Sequence, residues 1–397
     1  MAATTSVQSL TLIVIILFYS PPPTSAAKPH PSFNVQSYGA KPDGKSDSSK
    51  AFLAAWSAAC AAAPATVYVP PGKYAISTAA FSGNQCKKSG ITIQIDGTLV
   101  APSDYGVAAK AGEWLRFDRV AGVTIRGGTL DGQGAGFWAC RKSGKSCPKG
   151  ATSLGVYNSN KVVISGLKSM NSQMFHISIF GSYGVKVVGA NIMAPGDSPN
   201  TDGIHIEQSS DITIKNSNIG TGDDCISIGP GTSNLWIETI NCGPGHGVSI
   251  GSLGRDAQEP GVHNVTLRTA TFTGTENGVR IKTWSRPSNG FVKDVLFQHV
   301  TIKNANNPII IDQNYCPSGS CPHQGSGVKI TNVKYQDIHG ASATQVAMKF
   351  DCSNINPCTG ITLDGVDLTY LGKPAMASCS HAVGKSSGVV HPAGCFD

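Results

Sequence analysis

From about Ile91 onward the chain alternates short apolar-x-apolar units with polar, Gly-rich turns. The units are Val162-Val163-Ile164, Val185-Lys186-Val187, Ile212-Thr213-Ile214, Leu235-Trp236-Ile237, Val265-Thr266-Leu267, Val295-Leu296-Phe297, Val328-Lys329-Ile330 and Ile361-Thr362-Leu363. They recur at steps of 23, 27, 23, 30, 30, 33 and 33 residues. Alternation with a period of two marks strands that bury one face. Further strand-like runs lie between the units, at Gly203 to Glu207 and Gly247 to Ile250. Asn recurs in the turn regions, at Asn171, Asn191, Asn216, Asn241 and Asn304. Such a repeat, with two or three turns per period, predicts an all-β parallel β-helix solenoid. A propeller repeats every ~40 residues or more, which is too long. Consecutive coils of a β-helix are separated by about 4.8 Å, the ordinary strand spacing, so residues one period apart come near contact.

The N-terminal part differs. Asp47 or Ser48 can cap a helix running to about Cys60, with Phe52, Leu53, Trp56 and Cys60 on one stripe. At the start of a solenoid such a helix covers the open end of the core. Before it, the apolar run Leu10 to Tyr19, the prolines 21–23 and the small residues Thr24 to Ala27 read as a secretory leader, taken as residues 1–26, with one domain over 27–397. The run is too short to span a bilayer.

Composition agrees with that reading. Charged residues are only 14% and Gly contributes 46 of 397, as expected for many strands and turns. Twelve cysteines suit an oxidising, extracellular destination. They fall as neighbours, and sequential pairing closes short loops without crossing a coil: Cys60 with Cys86, Cys140 with Cys147, Cys225 with Cys242, Cys316 with Cys321, Cys352 with Cys358, Cys379 with Cys395. No Cys-x-x-Cys pair suggests zinc. One sequon, Asn264-Val265-Thr266, offers a glycosylation site. The net charge of +7 suits an acidic partner. Nucleic acid is disfavoured, because no Lys/Arg cluster is interleaved with aromatics. An acidic polysaccharide fits better.

Four motifs fall in phase with the repeat: Asn200-Thr201-Asp202-Gly203, Gly222-Asp223-Asp224-Cys225, Gly245-His246-Gly247 and Arg280-Ile281-Lys282. Each alone is an ordinary turn or strand sequence. Stacked on one face they form an acid/base set with a grip for an anion. Crowded carboxylates cannot all ionise freely, so one retains a proton as an acid while another serves as base. Glycosidic hydrolysis needs that division of roles. Adjacent Asp223 and Asp224 would point to opposite faces of a regular strand. Gly220 and Gly222 permit the bend that brings both to one side. Arg280 and Lys282, two apart, share a strand face and suit a sugar carboxylate. Tyr315 comes 33 residues after Lys282, in step with the next coil. No Asp-x-Asp-x-Asp-Gly calcium loop and no Gly-x-Ser-x-Gly elbow is present.

At these residues the chain resembles a polygalacturonase of glycoside hydrolase family 28, whose four signatures occur here in order. The resemblance extends to the Tyr38-Gly39-Ala40 and Asp43-Gly44 start and the paired C-terminal cysteines. The run Cys242 to Gly254 looks most like the plant, pollen-type exopolygalacturonases. The resemblance implies a right-handed parallel β-helix and inverting hydrolysis of α-1,4 bonds in demethylated pectin. It assigns Asp223 as general acid, Asp202 and Asp224 as the pair that activates water, and His246 as support for acid and substrate. Asn200, Arg280, Lys282 and Tyr315 become substrate-binding residues. It implies a secreted cell-wall enzyme, monomeric, with no metal or cofactor. Endo action, a related lyase or hydrolase, and a catalytically weak pectin-binding wall protein are the alternative readings.

Overall fold

The computed structural model describes residues 1–5, 30–321 and 324–396. The apolar run and cleavage region of the expected leader lie outside the described residues. Among those described, no helix is long and apolar enough to cross a membrane.

The chain coils into a parallel β-helix built from an eleven-stranded and an eighteen-stranded sheet. The smaller sheet carries one strand per coil, each paired in parallel with the coil before and the coil after. Its central strands are Ile177–Phe180, Ile204–Glu207, Ile226–Ile228, Val248–Leu253, Asn277–Trp284 and Asn307–Tyr315. The register stacks like upon like. Ile177, Ile204, Ile226, Val248, Val279 and Ile309 form one buried ladder. Ile179, Ile206, Ile228, Ile250, Ile281 and Ile311 form a second. All twelve are essentially inaccessible to solvent. A one-residue slip would turn these ladders outward and bury the polar residues between them, so burial fixes the register.

In the larger sheet most of the repeat units pair as the spacing implies: Ile212, Leu235, Val265 and Val295 are in register. Val328-Lys329-Ile330 is not the next unit. Val295 and Phe297 stack on Val333 and Tyr335, while Ile330 stacks on Val292. The true steps are therefore 38 and 28 residues, not two of 33. The segment after Tyr315, with its Cys316–Cys321 bridge, lengthens that coil. The corners between paired strand segments are made by single left-handed residues, among them Asn216, Thr239, Thr269, His299 and Asp337. Asn171 and Asn304 adopt that conformation, whereas Asn191 and Asn241 lie within strands.

The capping helix spans Ser49–Ala62 and buries Phe52, Ala55, Trp56, Ala59 and Cys60 against the first coil. Leu53 is only partly buried. Asp47 anchors its start by accepting from the Ser49 and Ser77 amides at 3.0 and 3.1 Å. Two short helices, Tyr105–Ala109 and Ala135–Lys142, were not apparent from periodicity. All six expected disulfides form. Asn264 is exposed at a corner, and its Nδ2 donates to Asn234 at 2.8 Å.

Candidate active site

The four motifs converge on the outer side of the smaller sheet: those of Asp202, Asp223-Asp224 and His246 just ahead of their strands, and Arg280-Ile281-Lys282 within the strand Asn277–Trp284. Backbone pairing sets their relative heights. The Gly203 amide donates to the Asp224 carbonyl at 2.9 Å, and the Cys225 amide to the Gly247 carbonyl at 2.8 Å. Extending the Ile204, Ile226 and Val248 register backwards places Asp202 over Asp224 and Asp224 over His246. Asp202 therefore stacks on Asp224, not on Asp223 as simple spacing suggests. Asp223 stands beside this column because the chain bends ahead of it. At Gly222 an added Cβ would lie 2.0 Å from the Ser198 carbonyl, so only glycine allows the bend. Thr201 fastens it, accepting from the Gly222 amide at 3.0 Å and donating to the Ser198 carbonyl at 3.0 Å. At Gly247 φ is +86°, and a Cβ would sit 2.2 Å from the Asn277 carbonyl. The Cys225–Cys242 bridge adjoins Asp224.

Asp224 lies at the floor, almost fully buried. Arg280 Nη2 donates to its Oδ1 at 2.8 Å, Lys282 Nζ to its Oδ2 at 2.8 Å, and Ser249 Oγ to its Oδ1 at 2.7 Å. Arg280 Nε also donates to Ser249 Oγ at 3.0 Å. Burial alone would raise the Asp224 carboxyl, but Lys282 and Arg280 outweigh it and hold the group below the usual carboxylate range. The same partner keeps both buried cations charged against the cost of burial.

Asp202 is buried too, without a cation in contact. Burial first, then repulsion from Asp223 and Asp224, pushes its carboxyl well above the ordinary range. Of the three carboxyls, Asp202 is thus the one whose affinity for a proton is raised. Asp223 is the most exposed of the three, with 19% of its side chain accessible against 2% for Asp224. Its Oδ1 faces His246 Nδ1 at 3.0 Å and accepts from the Asp224 amide at 2.8 Å. Asn200 Nδ2 reaches Asp223 Oδ2 at 3.4 Å, from a backbone with φ of 55°. Burial lowers His246, but its bond to Asp223 and the charges of Asp223, Glu276 and Asp224 leave it raised overall.

A cleft of about 760 Å³ opens above these groups. Asn200, Asp202, Asp223, Asp224, Lys282 and Tyr315 line it. Tyr315 pairs with Trp284, not Lys282, because an irregularity follows Lys282. Its ring still comes within 5.3 Å of Lys282 Nζ. Arg280 lies beneath, and His246 faces a separate hollow.

The spacing of motifs did not reveal Ser249, Ser227, Phe175, His205 or Glu276. Ser227 and Ser249 occupy the register position of Arg280 on the two preceding coils, the one signal that could have exposed them. His205 stacks on Phe175 with ring centroids 4.6 Å apart and binds Ser227 Oγ at 2.8 Å. At the opposite ends of the same strands the cleft is walled by Glu207, Asp256 and Glu259. One oxygen each of Asp223 and Asp224 and a His246 nitrogen lie within 4.8 Å of one another. A divalent ion seated there would meet the two cations already bound to Asp224.

Residues 60–388 match the model of "Glycosyl hydrolases family 28". A "Polygalacturonase" from Prunus persica is 58% identical over 92% of this chain and 93% of its own. An "Exopolygalacturonase" from Platanus acerifolia is 43% identical over 91% of this chain and 97% of its own. The crystal structure of endo-xylogalacturonan hydrolase from Aspergillus tubingensis superposes with a TM-score of 0.79 at 23% identity, covering 90% of this chain and 99% of that one, which speaks for the fold alone. With a family model spanning most of its length and relatives alike from end to end, the chain belongs to glycoside hydrolase family 28.

Proposed function

We propose that this chain hydrolyses α-1,4-galacturonosidic bonds of polygalacturonate with inversion, from chain ends, outside the plant cell during wall remodelling such as pollen growth. One observation carries this reading. The outermost carboxylate of the cleft, Asp223, stands beside an ionised, immobilised carboxylate, Asp224, with two buried cations beneath. Asp223 alone of the three reaches far enough to protonate a glycosidic oxygen. Asp224, held ionised, takes the proton of the attacking water. Asp202, whose carboxyl is raised by burial and by its acidic neighbours, orients that water by hydrogen bonding.

Arg280 and Lys282 bring two positive charges to one aspartate. Lys282, the cation that lines the cleft, favours a galacturonate carboxylate over a neutral sugar. Tyr315 and the Phe175–His205 stack offer ring faces to the sugar. The exo assignment draws support from relatives called exopolygalacturonase. The name "Polygalacturonase" on a 58% identical relative keeps endo action as the second reading.

Chromatography of products from polygalacturonate over time tests this. Monogalacturonate from the earliest sample is expected. A spread of oligomers with rapid viscosity loss would mean endo action. Binding without any product would leave a wall-binding protein.

A further inference from the structure

His246 has two acidic neighbours, and only one belongs to the catalytic trio. Its Nδ1 lies 3.0 Å from Asp223 Oδ1, and its Nε2 lies 3.3 Å from Glu276 Oε2. The other oxygen of Glu276 faces Arg280 Nη1 at 3.8 Å and accepts from Asn277 Nδ2 at 3.4 Å. The Glu276 amide donates to the Gly245 carbonyl at 2.8 Å, which pins the two segments together. Every titratable or charged group facing His246 comes from the adjacent coils: Asp223 and Asp224 from the one before, Glu276 and Arg280 from the one after.

Glu276 lies outside the lining of the main cleft. The catalytic carboxylates line the main cleft. His246 and Glu276 instead line a second hollow of about 300 Å³, together with Gly196, Pro244, Thr275 and Asn306. The imidazole thus forms part of the partition between the two. One nitrogen faces the acid of the cleft, and the other faces Glu276 in the hollow.

We infer that Glu276 is a positioning residue for the reaction proposed above: it holds His246 as a doubly donating imidazolium, so that Nδ1 keeps a proton in reserve for Asp223. An imidazolium has two N–H donors and needs two acceptors, and the structure supplies one carboxylate for each. In the step this permits, the Nδ1 proton passes to Asp223 Oδ1, leaving neutral His246 with its proton on Nε2 against Glu276. Asp223 then gives that proton to the glycosidic oxygen as the bond breaks. The proton released by the attacking water passes to Asp224 and out to solvent, and solvent restores the imidazolium. No redox partner or co-reactant enters. A neutral group at position 276 withdraws one of the three anions that favour the charged ring, so His246 holds its reserve proton over a narrower pH range.

The test compares Glu276→Gln and Glu276→Asp with the parent enzyme. The imidazole titration of His246, followed by NMR in the full-length mature protein without substrate, should move to lower pH in Glu276→Gln and stay near the parental position in Glu276→Asp. On polygalacturonate, Glu276→Gln should lose about threefold in kcat on the alkaline shoulder, equivalent to half a pH unit, with KM unchanged within about twofold. The inference rests on the polygalacturonase reading, but the two fail separately. An inactive parent would sink that reading while the NMR titration still judged Glu276. An unmoved His246 titration in Glu276→Gln would overturn the inference, as would a KM effect without a change in the pH profile.

Discussion

Replacing Lys282 by Met removes one charge from the floor of the cleft and keeps most of the side chain's volume. The structure sets the scale of the damage. Lys282 Nζ lies 2.8 Å from Asp224 Oδ2, and the two side chains are 9% and 2% accessible. Breaking a buried pair on one side costs about 3–5 kcal/mol, because the partner charge is left uncompensated. Asp224 would not be left alone. Arg280 still binds Oδ1 at 2.8 Å and Ser249 donates to the same oxygen at 2.7 Å. The loss should therefore fall at or below the lower end, about 2–3 kcal/mol of stability at neutral pH. The sign with pH follows. Asp224 is a depressed carboxylate, so its contribution is present above the unfolded pKa and is lost as pH falls through the folded value. With Lys282 gone the folded value rises, and the difference between parent and variant should shrink on acidification. Activity carries a second signature. If Asp224 must be ionised to take a proton from water, the acid limb of kcat/KM moves to higher pH in Lys282→Met. Denaturant unfolding at pH 4 and pH 7, with a pH–rate profile on polygalacturonate, reads both. Parental stability together with an unmoved acid limb would refute the argument that Lys282 holds Asp224 ionised.

Other outcomes follow from the same geometry. Asp202→Asn should abolish activity yet stabilise the protein at neutral pH, because it removes a buried acid whose raised pKa makes ionisation costly. That gain should be present above the folded pKa of Asp202 and vanish below the unfolded one, near pH 4, which thermal unfolding at several pH values will show. Asp223→Asn should lower kcat by at least about a hundredfold with the fold intact, since a general acid is worth that much; reducing-end assays with circular dichroism check both halves. Opening the Cys225–Cys242 bridge with a double Ser variant should cost about 3 kcal/mol, given its 17-residue separation, measured by urea unfolding.

The fold was legible because coil-to-coil stacking imposes a pattern on the chain. Isoleucines and valines recur wherever a strand faces the core, and four polar motifs recur on the face they leave outside. The register was less so. Val328-Lys329-Ile330 has the right composition for a repeat unit, yet a lengthened coil puts Val333 over Val295. A one-residue bend at Gly222 moves Asp223 out of the column that Asp202 and Asp224 share. Turns absorb extra residues without altering strand composition, so spacing gives the period and not the alignment. The charge state of the site was hidden for a related reason. Arg280 and Lys282 read as a free anion grip, whereas both already bind Asp224 on the floor. Contacts between coils 56 and 58 residues apart leave no local trace. Ser249 and Glu276 show the same limit, since neither type suggests chemistry until its neighbours on adjacent coils are known.

The most direct test of the central claim is proton NMR of polygalacturonate during the first minutes of incubation with the purified mature protein. Inverting hydrolysis by Asp223 and Asp224 predicts that free galacturonate appears first as the β anomer and only later mutarotates. An α anomer at the outset would mean a retaining mechanism and a nucleophile among the aspartates. An unsaturated product would mean elimination, and either result would contradict the roles assigned here.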